Sequence, residues 1–275
     1  TDTLFYLFSA ISGQEVFRFG DKGRGVCEFY YPLFLSNSFA YDSLIIYDIP
    51  VGRLTKIDLH ALVENQDIAK CANSEHLYRN LNFMYNFNKV DSAFIGTFIE
   101  KDEGLFSFCN RNNGEIKNTD YVPYYFYEKG RKDAYCHHVL VSEKDNSIIV
   151  PFKYMNLINC YDLDGNLKVT YALDWIKEEI NTQIRVDEHT TVTFYRTYAT
   201  RNRCYLVWDG HKIEEELRKY PAKIVVMNWQ GELEKVYQLD NFADFIIPDE
   251  KQRMIYVGVY NAGLEFVEIY KYPML

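Results

Sequence analysis

The chain has 275 residues, of which 48% are hydrophobic and 17% aromatic, including 24 Tyr and 19 Phe; this composition excludes a disordered chain and supplies a large core of strand-forming rings. A formal net charge of −9 argues against a nucleic-acid surface, which depends on clustered Lys and Arg, and no apolar run is long enough to cross a bilayer as a helix. Six widely spaced cysteines (Cys27, Cys71, Cys109, Cys136, Cys160, Cys204) contain no Cys-x-x-Cys, so they read as buried thiols rather than a zinc knuckle or a redox pair. Their even number leaves one or two disulfides open if the protein is exported. The start, Thr1-Asp2-Thr3, is not the charged beginning of a signal peptide, and removal of a leader is an open alternative.

In chain order, one unit recurs: a β-rich run, a residue followed by Gly, then a second run opening with polar and aliphatic residues. Its copies are LFYLFSAI-SG-QEVFRFG at residues 4–20, LFSFCNRN-NG-EIKNTDYV at 105–122, LINCYDL-DG-NLKVTYAL at 157–173 and KIVVMNW-QG-ELEKVYQL at 223–239. Each reads as a β-hairpin, because the central Xaa-Gly supplies the positive φ of a tight turn between alternating flanks. The glycines Gly13, Gly114, Gly165 and Gly231 fit a period of about 50 residues if LIIYDIPVGRLTKIDL, residues 44–59, is a degenerate copy in the first gap. Further strand-like runs at 147–154, 203–210 and 253–260 give three to four strands per period, which is the composition of a propeller blade. The expectation is therefore an all-β, six-bladed β-propeller forming a single domain over residues 1–275. The N-terminal hairpin lacks inner strands and the C-terminal unit lacks an outer one, so the termini are expected to share one blade and leave no open edge. A few short inserted helices are expected at 58–70, 174–181 and 211–220, from apolar spacing such as that of Ile213 and Leu217.

The segment FGDKGRGVCEFYYP, residues 19–32, resembles the linker G-x-x-G-R-G-P-G-E-F of the TolB-like six-bladed propellers of Bacteroidetes, proteins usually exported and of unassigned function. Gly20, Gly23, Arg24, Gly25, Glu28 and Phe29 match it, while Val26 and Cys27 stand in place of Pro-Gly. The resemblance implies a periplasmic or cell-surface location, with lipid anchoring through a segment outside this chain as one route and the cytoplasm as the alternative. The glycine order is wrong for a nucleotide loop and no βαβ unit surrounds it, so the segment reads as a blade-to-blade crossing.

Asp162-x-Asp164-Gly165-Asn166 lacks the downstream Glu of a calcium loop and reads as a hairpin turn. Adjacent His137 and His138 point to opposite faces of a strand and cannot chelate one metal together. Arg24, Glu28, His137 and His138 are the candidate binding residues, at the linker or a channel mouth. Tyr124, Tyr125, Tyr127, Trp175, Tyr195 and Tyr198 are groove candidates set against a default of core packing. No G-x-S-x-G elbow, H-E-x-x-H helix, P-loop or kinase signature occurs. The leading expectation is a monomeric, non-enzymatic binding or protein-interaction module with a protein or carbohydrate ligand, no nucleic-acid partner and no cofactor. The alternative is a metal-dependent hydrolase or lactonase holding a divalent cation at the central channel mouth.

Overall fold

Antiparallel hairpins recur along the described residues, five of them turning on a glycine of positive φ. The computed structural model describes residues 3–9, 11–25, 27–35, 43–78, 81, 84–98, 104–121, 135, 137–173, 186–215, 220–261 and 266–274. It divides into two units, Thr1–Asn118 and Thr119–Leu275.

In the first unit, β1 (Phe5–Phe8) and β2 (Glu15–Phe19) form a hairpin around Gly13, whose φ is 71°. Two short strands, β3 (Asp21–Lys22) and β4 (Glu28–Phe29), pair in parallel across the glycine-rich linker. A first blade follows in the order β5 (Pro32–Phe34), β6 (Ser43–Asp48), β7 (Arg53–Asp58), β8 (Ala72–His76). Helices α1 (Leu59–Asn65) and α2 (Ile68–Cys71) sit between its last two strands, where 58–70 reads as helical. Asp58 and Asp67 cap them by accepting the backbone N–H groups of Ala61 and Ala69 at 2.9 and 3.0 Å. The second blade is β9 (Met84–Lys89), β10 (Ala93–Phe98), β11 (Ser107–Asn110), β12 (Ile116–Asn118). Its core is continuous with that of the first, with Tyr47 stacked on Phe87 at 4.6 Å and packed with Leu54, Met84 and Phe94.

The second unit holds two four-stranded blades: β13 (Leu140–Ser142), β14 (Ser147–Pro151), β15 (Leu157–Tyr161), β16 (Leu167–Ala172), then β17 (Thr191–Ala199), β18 (Arg203–Lys212), β19 (Lys223–Asn228), β20 (Leu233–Gln238). A three-stranded blade, β21 (Phe245–Asp249), β22 (Met254–Asn261), β23 (Phe266–Pro273), completes it. Apolar residues of β18, β19, β21 and β22, including Val207, Ile224, Ile246 and Val257, form one core cluster.

The repeat is therefore a blade, and its glycine occupies a fixed place. Gly114, Gly165 and Gly231 all turn the third strand into the fourth, with φ of 71, 85 and 87°. The degenerate copy at 44–59 is also a hairpin, but its Gly52 (φ 62°) joins the second strand to the third. Gly231 combines this backbone with close neighbours, since a Cβ there would meet Cys160 Sγ at 3.0 Å and the Tyr171 ring at 3.2 Å. Gly13 has open space around it. Gly231→Ala is thus expected to lower stability by about 1–3 kcal/mol and Gly13→Ala by about 1, read from urea midpoints; equal effects would show that packing at Gly231 contributes nothing. In the Asp164-Gly165 turn, Asp162 accepts the N–H groups of Asp164 and Asn166 at 3.1 and 2.8 Å and pairs with Lys168 at 2.9 Å. Its four close donors are the turn's own, as a hairpin requires.

Three expectations are corrected. The described residues form five blades, not six. Among the described residues β1 and β2 form a two-stranded sheet and β21–β23 a three-stranded one, so the expected blade shared by the termini is not formed. The reason lies in the hairpin's aromatic face, because Phe5, Phe17 and Phe19 pack against Phe29 of the linker and against Ile46, Ile57 and Leu62 of the first blade and α1. Among the described residues the fifth blade has three strands, without a fourth, outer one. The stretch 211–220 does not begin as a helix, since His211 and Lys212 end β18 and residues 213–215 turn; 216–219, like 174–181, fall outside the described residues.

Candidate functional site

The four residues singled out from sequence fall in two places, each within one unit. Arg24 is exposed and lies over Tyr30, 5.8 Å from its ring centre. Glu28, also exposed, turns back so that its Oε2 accepts the Gly25 N–H at 2.9 Å. A Cβ on Gly23 would lie 2.0 Å from that carboxylate oxygen, so a side chain there would displace the Glu28 carboxylate from the Gly25 N–H. The linker is held from beneath by a pair the sequence reading did not single out. Arg53, 3% exposed, donates through Nη1 to Gly25 O at 2.5 Å and through Nη2 to Glu28 O, and lies 3.4 Å from Oδ2 of the fully buried Asp48. Asp48 in turn accepts the Tyr30 and Tyr31 N–H groups at 3.0 and 2.8 Å. Among the described residues Arg53 Nε has no hydrogen-bond partner, while its two terminal nitrogens and Asp48 tie the linker to its blade, so this arrangement is a brace.

His137 and His138 lead to different chemistry in the second unit. His137 is buried, bridges to Phe152 and has Nδ1 2.5 Å from Tyr135 O. His138 donates from Nε2 to Tyr195 O at 3.0 Å, and burial, helped by the charges of Arg196 and Lys153, pushes its pKa down to about 4. It is therefore neutral near pH 7.

Around His138 lies a cluster drawn from several blade segments. β18 cannot pair regularly with β17: the register shifts between Val192 and Phe194 and again between Phe194 and Arg196. Gly210 takes φ 70° there, and a Cβ on it would overlap the Trp208 ring. Such bulges re-aim side chains. Here Asp209 is 4% exposed and neither carboxylate oxygen has a hydrogen-bond partner. Its pKa is pushed up to about 7 by burial, against the pull of Arg196 and Lys153 and with a push from Asp244. His211, 1% exposed, also has an unpartnered Nδ1, and burial lowers its pKa.

Two half-buried cations complete the cluster. Lys153 Nζ lies 4.9 Å from the ring centres of both Tyr154 and Tyr195, and the Arg196 guanidinium lies 4.0 Å from that of Tyr195. Arg196 Nε donates to Asp244 O at 2.8 Å, and Thr193 Oγ1 donates to Phe152 O at 2.7 Å, fixing β17 against the loop that carries Lys153. Among the described residues neither cation has a carboxylate within ion-pair distance, and no three His, Cys, Asp or Glu side chains converge as a metal-binding set. Of the aromatic candidates, Tyr195 belongs to this cluster and Tyr198 is 38% exposed on the same strand; Tyr124, Tyr125, Tyr127 and Trp175 fall outside the described residues.

Repeated antiparallel blades of three or four strands, five of them among the described residues, define a β-propeller protein. No family model matches the chain, and no curated protein matches it. Among solved structures it is similar to a member of the DUF4221 family from Bacteroides vulgatus ATCC 8482, at 12% identity and a TM-score of 0.56, covering 98% of this chain and 86% of that one. Weaker likenesses include a catalytically inactive virginiamycin B lyase from Staphylococcus aureus (11% identity, TM-score 0.42, 96% and 75% covered) and BamB from Moraxella catarrhalis (8%, 0.39, 94% and 64%). At these identities the likeness shows the fold alone.

Proposed function

We propose that the chain is a non-enzymatic binding module of the cell envelope, of the TolB-like kind, that takes its ligand at Lys153, Tyr195 and Arg196. The observation that carries this reading is the concentration of unspent polar capacity in one place: two cations without carboxylate partners beside a buried carboxylate without hydrogen bonds. Folded proteins rarely leave such groups uncompensated away from functional sites. No comparable observation favours the metal-dependent hydrolase, which needs several converging ligands. Residues 1–275 are proposed to act as one domain and as a monomer, which a single melting transition and light scattering check.

The test is a screen of envelope glycans and peptides by thermal shift, comparing the natural chain with Lys153→Met/Arg196→Gln. A ligand that raises the melting temperature of the first and not of the second is the expected result. Repeated failure to find one, together with a measured turnover or a stoichiometric metal in the purified protein, would sink the proposal in favour of the hydrolase. Fractionation of the native host checks the envelope location.

A further inference from the structure

We infer that Lys153 and Arg196 recognise an anionic group of the ligand, of carboxylate or phosphate type, and that the buried Asp209 carboxylate competes with that group for their charge. This rests on the binding reading above and adds the chemistry of what is bound.

The two cations are half-buried, held against one ring, and have no carboxylate at ion-pair distance among the described residues. A cation–π contact orients a cation without neutralising it, so the charge remains available to an incoming anion. Arg196 spends only Nε on the protein, and the two terminal nitrogens of its fork make no hydrogen bond among the described residues. That is the part of a guanidinium that matches a carboxylate or phosphate with two parallel bonds.

Asp209 enters through space rather than by contact. It is buried, bulged inward beside Gly210, and unbonded, so a ligand need not touch it to feel whether it is charged. The charged and titratable groups facing it are known from each neighbouring element. Lys153 follows β14, Tyr195 and Arg196 lie on β17, and Asp244 precedes β21. His138 precedes β13 and His211 shares its own strand; burial lowers the pKa of both, that of His138 to about 4. Asp209 is the carboxyl of this cluster whose burial brings its charge change near neutrality. When it is protonated the two cations face an arriving anion uncompensated, and when it ionises one of their charges is offset internally. By linkage, the anion must raise the pKa of Asp209 by the same factor by which protonation strengthens its binding.

Sulfate and acetate are suitable probes because neither changes charge between pH 6 and pH 8.5. Titrated at fixed ionic strength and followed by NMR shifts of Tyr195, at least one is expected to bind saturably. The expected affinity is about fivefold or more higher at pH 6 than at pH 8.5. Preference for acetate assigns a carboxylate ligand and preference for sulfate a phosphate-type one. Lys153→Met/Arg196→Gln should abolish binding, and Asp209→Asn should bind as the natural chain does at pH 6, with no pH slope. Should Asp209→Asn fail to fold, the Asp209 carboxyl 13C titration in the natural chain replaces it, with an upward shift under saturating probe expected. Binding that survives loss of both cations, an unchanged slope in Asp209→Asn, or an unmoved carboxyl titration overturns the inference. A neutral oligosaccharide that shifts Tyr195 where both anions fail would overturn it too, while leaving the binding reading intact; silence from all probes counts against both.

Discussion

Asp209→Asn is expected to make the protein more stable at pH 8 and no more stable at pH 4. In the folded chain the carboxyl's pKa is about 7 against an ordinary value of 3.8. The folded state therefore holds this proton more tightly than the unfolded chain does. Its contribution is fully present below the ordinary value and is lost as pH rises from about 4 through about 7. A shift of this size corresponds to at most about 4 kcal/mol, at roughly 1.4 kcal/mol per unit. Asparagine removes that pH-dependent loss but buries an amide in a place without partners, at a pH-independent cost of about 1–3 kcal/mol. The variant should thus gain about 1–3 kcal/mol at pH 8 and be level or weaker at pH 4. Urea denaturation of both proteins across that range measures it, and because other titrations are shared, the difference between the two curves isolates this carboxyl. Parallel curves would mean that the Asp209 carboxyl has the same pKa folded and unfolded, and a gap that narrows with rising pH would mean that it is ionised and paired.

Arg53→Met should cost about 3–5 kcal/mol, because it leaves the fully buried Asp48 without a counter-charge. The same change removes the donors that hold Gly25 O and Glu28 O, so the linker should loosen with the blade. Arg53→Lys keeps the charge but not the fork, and less than half of the loss should be recovered. Melting curves give the energies. Faster labelling of the half-buried Cys27 by a thiol reagent reports the linker. A loss below about 1 kcal/mol would show that Asp48 is adequately held by the Tyr30 and Tyr31 amides.

Both predictions concern residues that sequence reasoning passed over, and the reason is physical. Hairpins are local: a glycine with positive φ between alternating flanks is visible in a dozen residues, and Gly114, Gly165 and Gly231 all took the expected turns. The capped helices at 58–70 were legible for the same reason. Blade count was not, because it depends on where the β1–β2 hairpin packs, and nothing in its alternation distinguishes one apolar neighbour from another. The cluster at Lys153, Arg196 and Asp209 joins segments far apart in sequence, which no spacing rule connects. One local sign existed: Asp209-Gly210 sits inside an otherwise continuous strand pattern, and a glycine there signals a bulge. His138 was singled out as a binding candidate, and its neighbours make it a neutral donor to Tyr195 O.

The brace beneath the linker bears on how relatives are recognised and how parts are exchanged between propellers. The glycines and Glu28 set what the loop can do, but the shape it takes depends on an Asp-x4-Arg hairpin some twenty residues downstream, Asp48 and Arg53. A search pattern built on the glycine stretch alone will collect chains that share its letters without its fold. Requiring both halves, at a separation that tolerates insertions before β6, selects for the physical unit. By the same logic, transplanting residues 19–32 into another blade scaffold should yield an unstructured loop unless residues 48–53 travel with it.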